Sequence, residues 1–322
     1  MATALAVIPG IVIPTVSRAS DKVGLYLASA RSRNTIRGYK SAYGQFAAWC
    51  AVRGLVSMPA TPETIAAHLA SEGATLKAAT LAHRLAAIGK AHKAAGQPNP
   101  IPDSMLIAET FKGIKAVHGA RQAQKDPVLT EDLRVMLRSV PDTLLGLRDR
   151  ALLLVGFAGA FRRSELVSLD VADIAFKPEG LLLTIRRSKT DQDGQGREIA
   201  IPAGAHPETD AVRAVQAWLA ASGIVEGPVF RSVSRHGQVS RDRLTAQSVA
   251  LVVKHYVGAA GMNAAAFSGH SLRAGFVTSA HRAGVSESRI MRTTGHKSVE
   301  MVLRYVRRAN VFQDNAAAAL GL

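Results

Sequence analysis

Apolar residues recur at helical spacing through the first third of the chain. Between Ser32 and Arg53, residues Ile36, Tyr43 and Phe46 fall on one face of a helix. Similar stripes predict helices over residues 63–72, 76–95 and 103–117, with Ser, Thr, Pro and Gly residues near their ends. Nothing in this region alternates as a strand does. The pattern therefore predicts an all-α bundle.

The second part of the chain combines helices with a hairpin. Residues 130–139 predict a capped helix, and residues 144–160 a largely apolar, buried one. Leu181–Arg187 and Arg197–Pro202 alternate as strands, on either side of a segment rich in Gly, Asp and Ser. These elements predict an α-rich domain with a small antiparallel β-sheet, so the expected fold class is mainly α with two domains.

The polar, basic segment HGARQAQKD has no apolar periodicity and precedes a proline, as expected of a linker. A chain of 322 residues is long enough for two domains. The predicted organisation is a flexible N-terminal tail (1–21), an all-α domain (22–117), the linker (118–126) and a second domain (127–322). The apolar run within the tail is interrupted by Pro and Gly, and it matches neither a signal peptide nor a membrane span.

The charge balance indicates a polyanionic partner. The chain has 40 Lys and Arg residues against 24 Asp and Glu, which gives a net charge of +16. No segment pairs a basic face with an aromatic one, so the prediction is nucleic acid and not a membrane. The single Cys50 excludes an internal disulfide framework and is expected to be buried. A reducing cytoplasmic location, in association with nucleic acid, follows as an expectation.

Side chains suited to phosphate chemistry follow one another along the second domain. They are Arg162, Glu165, Lys189, His270, Arg273, His296 and Tyr305. Each has an ordinary alternative: an ion pair, an exposed turn lysine, a packed histidine or a boundary tyrosine. Together they offer guanidinium and imidazole donors for a phosphate, a lysine as general acid and a tyrosine as nucleophile.

The position of the tyrosine agrees with that reading. Val299, Val302, Leu303 and Val306 form an apolar stripe. At about 100° per residue, Tyr305 falls roughly 110° from the centre of that stripe. It is therefore expected to flank the core and not to fill it.

Metal and nucleotide motifs are absent from the sequence. It contains no HExxH, no closely spaced His and Cys set, no Asp-rich loop and no GxxxxGK[ST] motif. The prediction is therefore that the protein uses neither a metal nor another cofactor.

The motifs FRRSEL, SKT, GHSLRAG, GH and VLRYVRR, in this order, resemble those of the tyrosine recombinase (phage-integrase-type) family. The likeness extends from about Ser32 to Tyr305. It implies the family fold, in which the first domain is a SAM-like core-binding bundle. The resemblance also assigns catalysis to Arg162, Lys189, His270, Arg273, His296 and Tyr305, with Glu165 in an orienting role. Some members have Trp where this chain has His296.

The resemblance further implies a reaction and its partners. The tyrosine would form a 3′-phosphotyrosine, strand exchange would pass through a Holliday junction, and neither ATP nor a metal would be needed. The expected partners are double-stranded DNA with inverted-repeat half-sites and three further copies in a homo-tetramer. Accessory DNA-bending proteins are a further expectation. Integration, excision and resolution are all open outcomes.

DNA contacts are expected on both domains. The resemblance places a helix carrying Thr80, His83 and Arg84 in the major groove, and it makes Gln247 a base-reading candidate. Phosphate contacts are expected from Lys40, Lys77, Lys90 and Lys93, and Arg33 and Arg37 are further DNA-binding candidates. For His83 and Arg84 the alternative is an ordinary solvated helix face.

Two rival functions remain at this stage. A type IB topoisomerase or a hairpin telomere resolvase would share the same residue chemistry. A non-catalytic DNA-binding protein would need the charge alone.

Overall fold

The computed structural model describes residues 33–119, 124–186 and 196–309, with side chains from Asn34 to Val306 within those ranges. The chain divides into two compact units, residues 1–123 and 124–322. The predicted tail, the predicted catalytic Lys189 and residues 120–123 of the predicted linker lie outside the described residues. The functional assignment of each unit stays a prediction.

In the described part of the first unit, all regular structure is helical. Its helices are α1 (Arg33–Val52), α2 (Pro62–Glu72), α3 (Ala78–Ala94) and α4 (Met105–His118). Their facing stripes bury Phe46, Cys50, Leu69, Leu81 and Ile88 in one core, which confirms the predicted bundle and the predicted burial of the cysteine.

Local side-chain contacts define where these helices begin and how they join. The hydroxyls of Thr61 and Ser104 accept from backbone N–H groups of α2 and α4, so α4 begins two residues later than predicted. The buried His92 accepts from the backbone N of Ala60 at 2.9 Å and contacts the carbonyl of Ile88 at 2.8 Å. This histidine is therefore a structural link between α3 and the loop before α2.

The second unit places two small antiparallel sheets among helices. Its helices are α5 (Thr130–Arg138), α6 (Leu144–Ala158), α7 (Arg163–Ser168), α8 (Ala211–Ser222), α9 (Ala246–Ala259), α10 (Ser271–Arg282), α11 (Glu287–Thr294) and α12 (Val299–Ala309). Its strands are β1 (Ile174–Lys177), β2 (Gly180–Ile185), β3 (Arg197–Pro202), β4 (Arg231–Val233) and β5 (Val239–Arg243). Single 3₁₀ turns occur at Val171–Asp173, Pro207–Thr209 and Ala264–Ala266.

The predicted hairpin is confirmed and proves to be part of a larger sheet. Strands β2 and β3 pair antiparallel, with Leu183 opposite Ile199, and β1 adds a third strand on the other side of β2. Strand β1 was not predicted, because four residues are too few to show alternation. Strands β4 and β5 were not predicted either, because their residues are largely polar and only partly buried.

The apolar helix α6 forms the centre of the second unit. Leu152, Leu153 and Val155 are almost fully buried on successive sides of the helix, and Trp218 and Tyr256 fill the surrounding core. The segment 151–157 of this helix is apolar on all sides, and such a segment has to be enclosed by other elements. The site described next is built at the C-terminal end of this enclosed helix. In the described part of the chain, no helix is long and apolar enough to cross a membrane.

Candidate active site

The turn between α6 and α7 presents Arg162. Ala160, two residues before Arg162, has a φ of 48°. This left-handed conformation costs a non-glycine residue about 1–3 kcal/mol. Glu165 stabilises the start of α7, because its carboxylate accepts from the backbone N of Arg162 at 3.0 Å and from the guanidinium of the same residue. Glu165 is almost fully buried, with 1% of its side chain exposed.

A second guanidinium, that of Arg273 on α10, is buried behind this turn. Its Nη1 donates to the carbonyl of Ala160 and its Nη2 to the carbonyl of Thr294, both at 2.7 Å. Arg273 thus ties the strained turn to the end of α11. Burial, followed by the positive charge of Arg162, lowers the pKa of Arg273 to about 10, so the group is still charged at neutral pH.

His296 completes this buried chain of contacts. Its Nδ1 lies 2.9 Å from the hydroxyl of Thr294, which itself donates to the carbonyl of Ile290 at 2.8 Å. The hydroxyl therefore accepts from Nδ1–H, and Nε2 is left to accept from Arg273 at 3.0 Å.

The protonation of His296 differs from the expected donor role. Burial, and then the charge of Arg273, lowers the pKa of His296 to about 4. In this structure the imidazole is therefore a neutral acceptor at pH 7 and not a donor aimed at an anion.

Tyr305, which is part of α12, lies beside His296. The two ring centroids are 5.6 Å apart. Val302 and Val306 are buried and Tyr305 is partly buried, so the prediction that the tyrosine flanks the core is confirmed. Val299, which was assigned to the apolar stripe, is instead 42% exposed, because the stripe is narrower at the start of the helix.

A third guanidinium was not predicted. Arg197 is the first residue of β3, and its Nη2 lies 3.3 Å from the carboxylate of Glu165 while its Nη1 donates to the carbonyl of Thr293 at 2.8 Å. The sequence offered only an arginine in an alternating strand, where charged side chains usually face solvent.

These groups make a cluster with an excess of positive charge, in which Glu165, Arg273 and His296 are buried and Arg162 and Arg197 are partly buried. Three guanidinium groups face one carboxylate, that of Glu165, and His296 is neutral, so three less one leaves a charge of +2. Buried charge is costly unless it is paired. The cluster is therefore suited to an anion such as a phosphate, for which arginine provides matched forked donors.

Two further predicted catalytic residues are His270 and Lys189. His270 lies exposed at the residue before α10, three positions ahead of Arg273. The adjacent Gly269 allows Arg163 to pack against the same turn, since a Cβ there would lie 2.1 Å from the Cδ of Arg163. Lys189 lies outside the described residues. Among the described residues, no group of three or more His, Cys, Asp and Glu side chains could hold a metal ion.

Most of the predicted DNA-contacting side chains of the first unit are exposed. These are Arg37, Lys40, Lys77, Thr80, His83 and Lys90. The rings of Tyr39 and His83 lie 5.2 Å apart, which places part of this set on adjoining surfaces of α1 and α3. In the second unit, Gln247 is exposed on α9. The side chain of Arg33 lies outside the described part.

Arg84 is a correction to this set. Its side chain is buried, and its guanidinium contacts Glu72, Gln45 and His68. An arginine held in an interior ion pair cannot also reach a base edge. Arg84 therefore has a structural role in this fold, which neither the base-reading nor the solvated-face interpretation anticipated.

Comparison with known proteins identifies the family. Residues 128–310 match the model of the phage integrase family. The "Integrase/recombinase xerD homolog" of Selenomonas ruminantium is 41% identical over 303 residues, covering 93% of this chain and 89% of the relative.

Two more distant proteins agree with this assignment. "Recombinase cre" of Escherichia phage P1 is 27% identical over 301 residues, covering 86% of this chain and 85% of the relative, so the chain is less similar to it than to the xerD homolog. The crystal structure of a lambda integrase tetramer bound to a Holliday junction shares the fold, with a TM-score of 0.54 and 19% identity over 89% of this chain and 75% of that chain. The chain belongs to the phage integrase family and is a tyrosine-type site-specific recombinase.

Proposed function

We propose that this recombinase cleaves double-stranded DNA by attack of the Tyr305 hydroxyl on a backbone phosphate. The bond from the tyrosine oxygen to phosphorus forms as the bond from phosphorus to the 5′ oxygen breaks. The products are a 3′-phosphotyrosine and a free 5′-hydroxyl. The supporting observation is that the ring of Tyr305 lies against His296, next to a cluster of side chains that has two positive charges in excess.

Arg162 and Arg273 are proposed to bind the scissile phosphate. The contacts of Arg273 to Ala160, Thr294 and His296 leave further N–H donors on its guanidinium for phosphate oxygens. Because those contacts fix the guanidinium before DNA arrives, little reorganisation is needed as negative charge grows in the transition state. Glu165 has the same fixing effect on Arg162.

The proposed step also requires proton transfers, and it retains the energy of the phosphodiester bond. Lys189 would protonate the leaving 5′ oxygen as general acid. The Tyr305 hydroxyl would release its proton to solvent as its oxygen bonds to phosphorus, and His296 would remain the neutral acceptor that holds Arg273 through its Nε2. The phosphotyrosine retains the energy of the phosphodiester, so rejoining consumes no ATP.

The proposed assembly is a homo-tetramer on two duplexes with inverted-repeat half-sites. The 5′-hydroxyl of one duplex would attack the phosphotyrosine of the other, and a second round would resolve the Holliday junction. The lambda integrase structure, a tetramer on such a junction, supports this proposal by its fold. The exposed Arg37, Lys40, Lys77 and Lys90 would neutralise backbone phosphates. Accessory DNA-bending proteins would act on the direction of exchange.

A nicked suicide substrate tests the proposal. The substrate is built from inverted repeats, which are first sought in the DNA that flanks the gene. The 5′-hydroxyl fragment diffuses away after cleavage, so the covalent adduct accumulates. We expect an adduct with the unaltered protein in EDTA and none with Tyr305→Phe. The matched control is Tyr256→Phe, which changes a buried tyrosine bonded to Asp149 and should still form the adduct.

The possible outcomes separate the rival functions. An adduct with Tyr305→Phe would overturn the assigned nucleophile. Binding to the site without any adduct from the unaltered protein would favour a non-catalytic DNA-binding protein. Relaxation of supercoiled DNA without strand exchange would favour a topoisomerase.

A further inference from the structure

Arg197 connects three elements of the site. It begins β3, it donates to the carbonyl of Thr293 near the end of α11, and it contacts the carboxylate of Glu165 on α7. Gly295 leaves room for it, since a Cβ there would lie 2.8 Å from Nη1 of Arg197. The Nε of Arg197 is buried and has no hydrogen-bond partner among the described residues.

The contacts of Glu165 show what this third guanidinium changes. One oxygen of Glu165 pairs with the guanidinium of Arg162, and the other accepts from the backbone N of Arg162 and from Arg197. An Arg162–Glu165 pair alone would be electrically neutral. With Arg197 added, one carboxylate is shared by two cations, so positive potential remains at Arg162 for an incoming anion.

A purely structural bridge between β3 and the helices is the alternative. That interpretation explains the two hydrogen bonds, but it does not explain why a third, partly buried cation lies where positive charge is already in excess. Burial, and to a lesser extent Arg162, lowers the pKa of Arg197, so the contacts made here do not fully compensate its charge. Such a cost is retained more readily where a ligand offsets it.

We propose that Arg197 is a positioning residue of the recombination site, which offsets the charge of Glu165 so that Arg162 can bind the scissile phosphate. The inference rests on the proposed function, because it requires a phosphate at Arg162. Arg197 itself need not touch the DNA.

The test compares a charged with a neutral scissile phosphate. Adduct formation is measured in single turnover on the nicked substrate and on the same substrate with a methylphosphonate at the cleavage position. For Arg197→Gln we expect the rate on the ordinary phosphate to fall by on the order of 10-fold or more, with little change in site affinity. On the neutral substrate the difference from the unaltered protein should largely disappear, because no negative charge has to be stabilised.

Two further variants show whether charge is responsible. Arg197→Lys keeps the positive charge and should recover part of the rate on the ordinary phosphate. In a Glu165→Gln background the Arg197→Gln change should cost much less, because the carboxylate that Arg197 offsets is gone. This double variant also carries the test if Arg197→Gln alone does not fold.

Arg243→Gln is the matched structural control. Arg243 likewise bonds a carboxylate, that of Asp170, and the carbonyls of Val167 and Leu169. Any loss of rate in this control should be equal on both substrates. An equal loss on both substrates for Arg197→Gln, or no loss at all, would overturn the inference. Absence of an adduct with the unaltered protein would instead overturn the proposed function.

Discussion

Replacing Glu165 with Gln tests whether this carboxylate is the counter-charge that holds the arginine cluster together. The side chain is 1% exposed and accepts from Arg162 at two positions and from Arg197 at 3.3 Å. Gln keeps the size and part of the hydrogen bonding, but it removes the only negative charge among these contacts. The buried guanidinium groups are then left uncompensated.

The expected loss of folding stability is large for a substitution that replaces one carboxylate oxygen with an NH2 group. Breaking a buried ion pair by removing one partner costs about 3–5 kcal/mol, and the retained amide contacts place Glu165→Gln near the lower end. For a domain of this size, about 3 kcal/mol corresponds to a fall in Tm of roughly 6–12 °C. Sulfate should stabilise the variant more than the unaltered protein, because an anion then replaces the missing charge.

Urea unfolding, monitored by tryptophan fluorescence, measures this loss of stability in the second unit. The chain has two tryptophans, Trp49 in the first unit and the fully buried Trp218 in the second. A Trp49→Phe background therefore restricts the signal to the second unit. Glu131→Gln is the surface control, since Glu131 is 66% exposed and lies 3.7 Å from Arg282, and it should cost less than about 1 kcal/mol. If Glu165→Gln costs no more than this control, the counter-charge argument is refuted.

Three further predictions concern a tautomer, acid stability and the DNA surface. Thr294→Val leaves Nδ1–H of His296 without its acceptor. Urea unfolding should therefore show a loss of about 1–3 kcal/mol in stability, and the covalent adduct should form more slowly. An unchanged rate of adduct formation would contradict the assigned tautomer. The pKa of His296 and that of the buried His68 are lowered from 6.5 to about 4 in the folded protein. The stability that each neutral histidine contributes above pH 6.5 should therefore be lost as the pH falls towards 4, by up to about 3 kcal/mol for each residue. Replacing either histidine with Gln should flatten this pH dependence. In anisotropy titrations, Lys90→Ala should reduce the salt slope of DNA binding by about 1, whereas Arg84→Met should destabilise the first unit and leave that slope unchanged; a reduced slope for Arg84→Met would restore it as a DNA contact.

Much of the fold follows from local patterns in the sequence. Apolar periodicity and capping residues were sufficient for the helices of both units, because each helix carries its signal within one segment. The short strand β1 and the polar hairpin of β4 and β5 lack such a signal and depend on pairing partners. The end of α6 at Ala158 was also missed by two residues, because Ala160 adopts a left-handed conformation that no sequence rule assigns to alanine.

The site was predictable where a motif carried it, and unpredictable where it depends on tertiary contacts. Arg162, Arg273, His296 and Tyr305 were predicted from residue type and order; the fold brings them together, and their catalytic roles stay a prediction. Arg197 and Thr294 join the site only because β3 and the end of α11 pack beside α7 and α10. Arg84 was misjudged for the same reason, since its partner Glu72 lies on a different helix.

The proposed nucleophile can be tested by identifying the residue that becomes covalently joined to DNA. The adduct formed on the suicide substrate is digested with nuclease and protease, and the modified peptide is sequenced by mass spectrometry. We expect the remaining nucleotide to be attached through its 3′ phosphate to Tyr305, in the peptide from α12. Attachment to any other residue, or through a 5′ phosphate, would contradict the proposal.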